Sequence, residues 1–165
     1  MAIKGLGNEY DITLKAGASC KTSTSQYLCV GAWPTTTSGD FYGYITNDST
    51  AAGTTNSYAF IGVNQSNMMS SGSESMSVRM FGVSKVKCSA SVPAYSFVVP
   101  YAGASTTTRR GQIAAIASGV SITVATASTS SHTCVIGRAL EDGSTGTVIS
   151  VFINPQLYDR NLIES

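Results

Sequence analysis

Apolar and polar residues alternate with a period of two along much of the chain. Ile12-Thr13-Leu14-Lys15 and Met76-Ser77-Val78-Arg79-Met80 each put apolar side chains on one side and polar ones on the other, the pattern of a half-buried strand. Tyr95 to Val99, Val120 to Ala125 and Val148 to Ile153 are rich in β-branched or aromatic residues and end in turn formers, so they too read as strands. Thr35 to Asp40, Ser70 to Ser73 and Glu141 to Gly146 gather Ser, Thr, Gly and Asp and read as loops. Gln112 to Ala117 is the one stretch open to a helical reading. It is short and bracketed by Gly111 and Gly119, so a strand is expected there. The fold class predicted is all-β.

The pattern also repeats. Phe60-Ile61-Gly62-Val63 returns as Val135-Ile136-Gly137-Arg138, and Leu14-Lys15-Ala16-Gly17-Ala18-Ser19 as Val86-Lys87-Cys88-Ser89-Ala90-Ser91. Between these anchors Tyr27-Leu28-Cys29-Val30 matches Phe97-Val98-Val99-Pro100, Thr35-Thr36-Thr37 matches Thr106-Thr107-Thr108, and Ile45 matches Ile116. Each copy closes on an alternating strand, Ser75 to Phe81 and Thr147 to Ile153. The order is kept throughout, which points to internal duplication: a first β-unit over 10–82 and a second over 83–153. Two such units sharing one core predict a compact β-barrel or sandwich of about ten strands. An N-terminal arm (1–9) and a C-terminal tail (154–165) fall outside both repeats and are expected to extend from them.

Composition narrows the partners. Only 12% of the 165 residues are charged, against about 25% in an average soluble protein, while 25 Ser, 19 Thr and 16 Gly take their place. A polar but weakly charged surface suits a protein lying against other protein. Ten Lys and Arg nearly balance nine Asp and Glu, and the longest basic run is Arg109-Arg110, so direct nucleic-acid binding is not expected. The N-terminus lacks the apolar core of a signal peptide, and no apolar stretch reaches the ~18 residues of a membrane span. Synthesis in a cytosol and reduced thiols at Cys20, Cys29, Cys88 and Cys134 are therefore expected.

Catalytic constellations are missing from the pattern. The single histidine, His132, sits in Thr129-Ser130-Ser131-His132-Thr133 and aligns with Ser57 of the other repeat, which leaves a hydrolytic triad without support. There is no Gly-x-Ser-x-Gly, phosphate-binding loop or His-Glu-x-x-His, and the cysteines lack metal-ligand spacing. In the repeat alignment Cys20 falls near Val92, Cys29 on Val99, Cys88 on Ala16 and Cys134 on Ala59, so all four read as small buried hydrophobes. Glu141-Asp142-Gly143 reads as a turn rather than a calcium site. No enzymatic activity and no cofactor are expected.

Contact candidates remain. Trp33, Phe41, Tyr42, Tyr44, Tyr58 and Phe60 gather in the first repeat. Core packing accounts for such residues as well as an interface does, although Tyr and Trp favour interfaces. Arg109-Arg110 can meet a partner's carboxylate or be a solvated loop. The arm is apolar, basic and glycine-rich. Lys4, Leu6, Tyr10, Trp33, Tyr42, Tyr44, Arg109 and Arg110 are the residues expected to touch a partner.

One segment carries a resemblance. Val135-Ile136-Gly137-Arg138-Ala139-Leu140-Glu141-Asp142-Gly143-Ser144-Thr145-Gly146, followed by Val148-Ile149-Ser150-Val151, resembles the C-terminal signature of the small capsid decoration, or cement, proteins of tailed bacteriophages. Ile61 to Gln65 and Gly82 to Lys87 resemble that family's central phrase, and the likeness spans roughly residues 57–153. It implies a structural protein on the outside of a phage head, assembled in the bacterial cytoplasm, bound to the major capsid protein and forming a homo-oligomer, with a trimer favoured. Another virion part, such as a tail or fibre module, and a carbohydrate-binding adhesin-like β-module are the alternatives.

Overall fold

The computed structural model describes residues 9–17, 20, 25–34, 41–45, 60–67, 75–101, 109, 111–116 and 133–158. Among them are nine strands: β1 (Tyr10–Ala16), β2 (Cys29–Pro34), β3 (Phe41–Ile45), β4 (Phe60–Asn64), β5 (Ser75–Lys87), β6 (Phe97–Pro100), β7 (Ile113–Ala115), β8 (Thr133–Ala139) and β9 (Val148–Tyr158). The fold is all-β, as the alternation predicted, and Ile113–Ala115 is strand rather than helix. The expected strand at Val120 to Ala125, the loops at 35–40 and 70–73, and His132 lie outside the described residues.

The strands form two circuits that share β5. In the first, the hydrogen-bonded order β1-β3-β2-β4-β5 is closed by an antiparallel β1–β5 pairing from Lys15↔Ser75 to Tyr10↔Phe81. In the second, β5-β9-β8-β6-β7 returns to the end of β5 through a parallel bridge between Cys88 and Ile113. Closure leaves few sheet edges open, which removes sites for unwanted strand addition. The two circuits share one connectivity. Parallel contact of β1 with β3 at Ala16↔Gly43 matches Cys88↔Ile113, and Gly17 N–H to Gly43 O matches Ser89 N–H to Ile113 O, both at 2.8 Å.

Hydrogen-bond register corrects the middle of the repeat alignment. Cys29 pairs with Val63 and Phe97 with Arg138, so Cys29 corresponds to Phe97, not to Val99. Tyr27 then falls on Tyr95, and both hold φ at 64°, an unusual conformation for a tyrosine. Ile45 opposes Val30 as Ala115 opposes Val98, so its counterpart is Ala115 rather than Ile116. Similarity in sequence sets apolar residue against apolar residue there, while pairing geometry ties each residue to a position on the ladder. At the C-terminal end, β9 continues through Asn154 to Tyr158 and pairs with β8 at Val135↔Gln156 and Thr133↔Tyr158. The expected tail therefore begins as sheet.

The interior is split in two. Leu14, Ala16, Val30, Ile45, Met76 and Val78 fill the first circuit. Val86, Cys88, Val98, Ile113, Ile136, Ile149, Val151 and Ile153 fill the second. Each fully buried Val, Ile or Met contributes about 1.5–3 kcal/mol. The even-numbered residues of β5 from Met76 to Val86 are buried except Met80, which is partly buried at the register shift opposite Tyr10 and Asp11, so one strand serves both interiors. Cys29 and Val63 belong to the second cluster although their strands lie in the first circuit. They form the seam, beside the bonds Lys87 N–H to Tyr27 O (3.0 Å) and Cys29 N–H to Gly111 O.

A candidate protein-binding face

The outward, odd-numbered side of β5 and the strands beside it carry a row of exposed side chains. Register places Phe97 beside Arg138, Arg138 beside Phe152 and Phe152 beside Val83. Phe81 continues the row two residues back along β5, and Tyr10 pairs with it across β1. These residues are open to solvent: Tyr95 68%, Tyr10 60%, Phe97 47%, Val83 44%, Phe81 37% and Phe152 37%. With strands about 4.8 Å apart, five strands span about 20 Å. Monomeric proteins seldom expose a contiguous apolar patch of this kind unless it is functional.

Contacts within the row hold its side chains in place. Phe81 and Phe152 meet edge to face, with centroids 5.4 Å apart and rings at 75°, a geometry that the ring quadrupoles favour. The Arg138 guanidinium lies 5.2 Å from the centre of the Phe97 ring while its Nε donates to Tyr95 O at 2.7 Å. Tyr95 thus fixes the arginine through its backbone carbonyl, in the strained turn that leads into β6.

Two ion-pair groups border the row. On one side Arg79 donates from Nε to Asp11 Oδ1 at 2.7 Å, pairs with Glu9 Oε1 at 2.8 Å and donates from Nη1 to Val83 O at 2.6 Å. The hydrogen bond from Arg79 holds the Asp11 carboxyl below its ordinary range, against a smaller opposing effect of burial, and raises the guanidinium in turn. On the other side Lys85 Nζ lies 3.1 Å from Glu141 Oε1 and 2.9 Å from Ser150 Oγ. Glu141 also accepts the Ser150 backbone N–H. That bond, aided by the Ser150 side chain and Lys85, lowers its carboxyl to about 2. Among the described residues no carboxylate meets Arg138, which lies within the row itself.

Only part of this face was anticipated. Tyr10 lies in the row. Tyr42 is half-buried and pairs with Trp33 across β2 and β3, and Tyr44 lies opposite Gly31; the side chains of Trp33 and Tyr44 are not among those described. Arg109 is exposed, 5.8 Å from the centre of the Tyr101 ring. Lys4, Leu6 and Arg110 lie outside the described residues. Phe81, Phe97, Arg138 and Phe152 went unnoticed, yet a signal was present. Phe152 sits between Val151 and Ile153, in the register of polar Ser150, so an alternating strand must turn it outward. No group of three or more His, Cys, Asp or Glu placed to hold a metal occurs among the described residues. Glu141 lies in a bend just before Gly143, which bridges to Val92, and Asp142 Oδ1 accepts the Ala94 N–H at 2.8 Å.

The sequence matches no protein-family profile and no curated protein. The fold is similar to that of the head fiber gp8.5 N base of bacteriophage phi29, with a TM-score of 0.50 and 12% identity over 88% of this chain and 94% of that one. At this identity the likeness is one of architecture.

Proposed function

We propose that this chain is a structural component of a phage virion, bound to the outer surface of the head and cementing neighbouring major capsid protein subunits. The observation carrying this reading is the architecture shared along nearly the whole length of the base of a phage head fiber. The capsid-decoration resemblance of residues 135–146 supports it independently. Each copy would bury a modest area, and many copies would act together through multivalency. Assembly as a homo-oligomer, with a trimer favoured by the family resemblance, belongs to the same proposal. Purified protein added to undecorated heads of its phage should bind them and raise their disruption temperature. No binding at micromolar protein refutes the reading.

The neighbour also favours a second reading, in which the chain is the base of a projecting head fibre. Electron cryomicroscopy of the particle separates the two: a low cap between capsomers fits the first, and a stalk rising from the density fits the second. We further infer that the two circuits descend from one duplicated β-unit. Matched pairings at Cys29↔Val63 and Phe97↔Arg138, together with the two tyrosines at φ 64°, support that origin.

A further inference from the structure

We propose that the row Tyr95–Phe97–Arg138–Phe152–Val83–Phe81 is the surface that docks on the head, and that its partner is a protein face presenting a carboxylate among apolar side chains opposite Arg138. This rests on the head-surface reading above and identifies where and how the contact forms.

The first argument is charge. Arg138 is exposed, anchored by Tyr95 O at 2.7 Å and stacked on Phe97, with its Nη groups left for a planar acceptor. Arg79 and Lys85, the cations on either side, already have carboxylates. A guanidinium held in one orientation among aromatic rings is the composition of an interface hot spot, and it favours a carboxylate through paired, charge-assisted hydrogen bonds.

The second argument is position. In the first circuit the equivalent row is Cys29, Val63, Arg79 and Asp11. There Cys29 and Val63 are fully buried under the second circuit, and Arg79 is satisfied by Asp11. The same ladder positions on the second circuit carry Phe97, Arg138, Phe152 and Val83, all open to solvent. The Cys29–Val63 half of one row is covered within the molecule, and its counterpart, Phe97–Arg138, waits for cover from outside.

Other occupants fit less well. For a stacked sugar, Arg138 already covers one face of Phe97 and Phe81 meets Phe152 edge to face, which leaves Tyr95 as the freest ring of the row. Phosphate backbones would meet Glu9, Asp11 and Glu141 along both borders. A second copy would have to supply the carboxylate, but the described ones are engaged: Glu9 and Asp11 with Arg79, Glu141 with Lys85, and Asp142 with the Ala94 N–H.

Undecorated heads are the probe, titrated with the full chain and its variants. Arg138→Glu should weaken binding by about thirty-fold or more, Phe97→Ser by a similar factor, and Arg138→Lys by less. Thr145→Arg, in the β8–β9 turn, should bind like the parent. Unchanged melting temperatures establish that the variants fold. Binding by the parent that survives both Arg138→Glu and Phe97→Ser overturns this inference and leaves the head-surface reading standing. No binding by the parent overturns both. Sedimentation showing an oligomer of the free chain that Arg138→Glu dissociates, or release of the parent from heads by glycosidase treatment, also overturns it, in favour of a second copy or a glycan.

Discussion

Replacing Gly137 by alanine places a methyl group where the facing strand already runs. A Cβ at this position would lie 2.0 Å from Phe152 O and 2.9 Å from the carbonyl carbon. To restore ordinary contact at 3.4 Å, the β9 backbone must retreat by about 1.4 Å. The obstacle is main chain, so no rotamer change relieves it. The retreat strains the neighbouring pairs Arg138↔Phe152 and Gly137↔Ile153. Overpacking costs about 1–3 kcal/mol, and two weakened ladder hydrogen bonds add about 1 kcal/mol each. The expected loss is therefore about 3–5 kcal/mol, a large share of the roughly 5–15 kcal/mol that holds a typical domain together. In a chain of this size it lowers Tm by about 6–20 °C. Gly62, the matching glycine of the first circuit, faces Arg79 O at 2.4 Å and should behave alike. Gly146→Ala is the control: a Cβ there meets nothing within 4 Å, although φ is +82°, so only about 1 kcal/mol of backbone strain is expected. Thermal melts followed by circular dichroism compare the three. A Gly137→Ala protein that melts within 2 °C of Gly146→Ala would refute the collision argument.

Met76 is fully buried in the first circuit, and Met76→Ala should cost about 2–5 kcal/mol in denaturant unfolding; a loss below 1 kcal/mol would mean that this interior is loosely packed. Because folding lowers the Glu141 carboxyl from 4.5 to about 2, its stabilisation is complete above about pH 4.5 and disappears as pH falls toward 2. Tm measured from pH 6 to pH 2 should fall more steeply for the parent than for Glu141→Gln, and parallel curves contradict the assignment. Tyr95→Gly relieves a non-glycine residue at φ 64° and should raise stability by about 1 kcal/mol while weakening head binding. A stabilised variant that binds as well as the parent would separate Tyr95 from the contact.

The fold was legible in the chain because alternation reports directly on strands. Met76, Val78 and Val86 sit at the inward positions that their spacing implies. The Ile-Gly pair at 61–62 and 136–137 marked the recurring element through its close approach to a facing strand. What failed was register, which depends on partner strands distant in sequence. Shared apolar character aligned Cys29 with Val99, and only the ladder reveals Phe97 as its counterpart. The exposed row was hidden for a related reason. Phe81, Phe97, Arg138 and Phe152 come from four separated segments, and closure of the second circuit brings them side by side. The aromatics that stand out in the sequence lie near one another along the chain, and of these Trp33 and Tyr42 are paired across two strands.

β5 is the last stave of one barrel and the first of the other. Neither half can be excised without leaving its neighbour with an open seam, so the two circuits cannot be shuffled, swapped or lost singly as beads on a string can. Unfolding should proceed as a single event. A pull applied to the C-terminal end of β9 would pass through β5 into β1 and meet the resistance of both barrels in series.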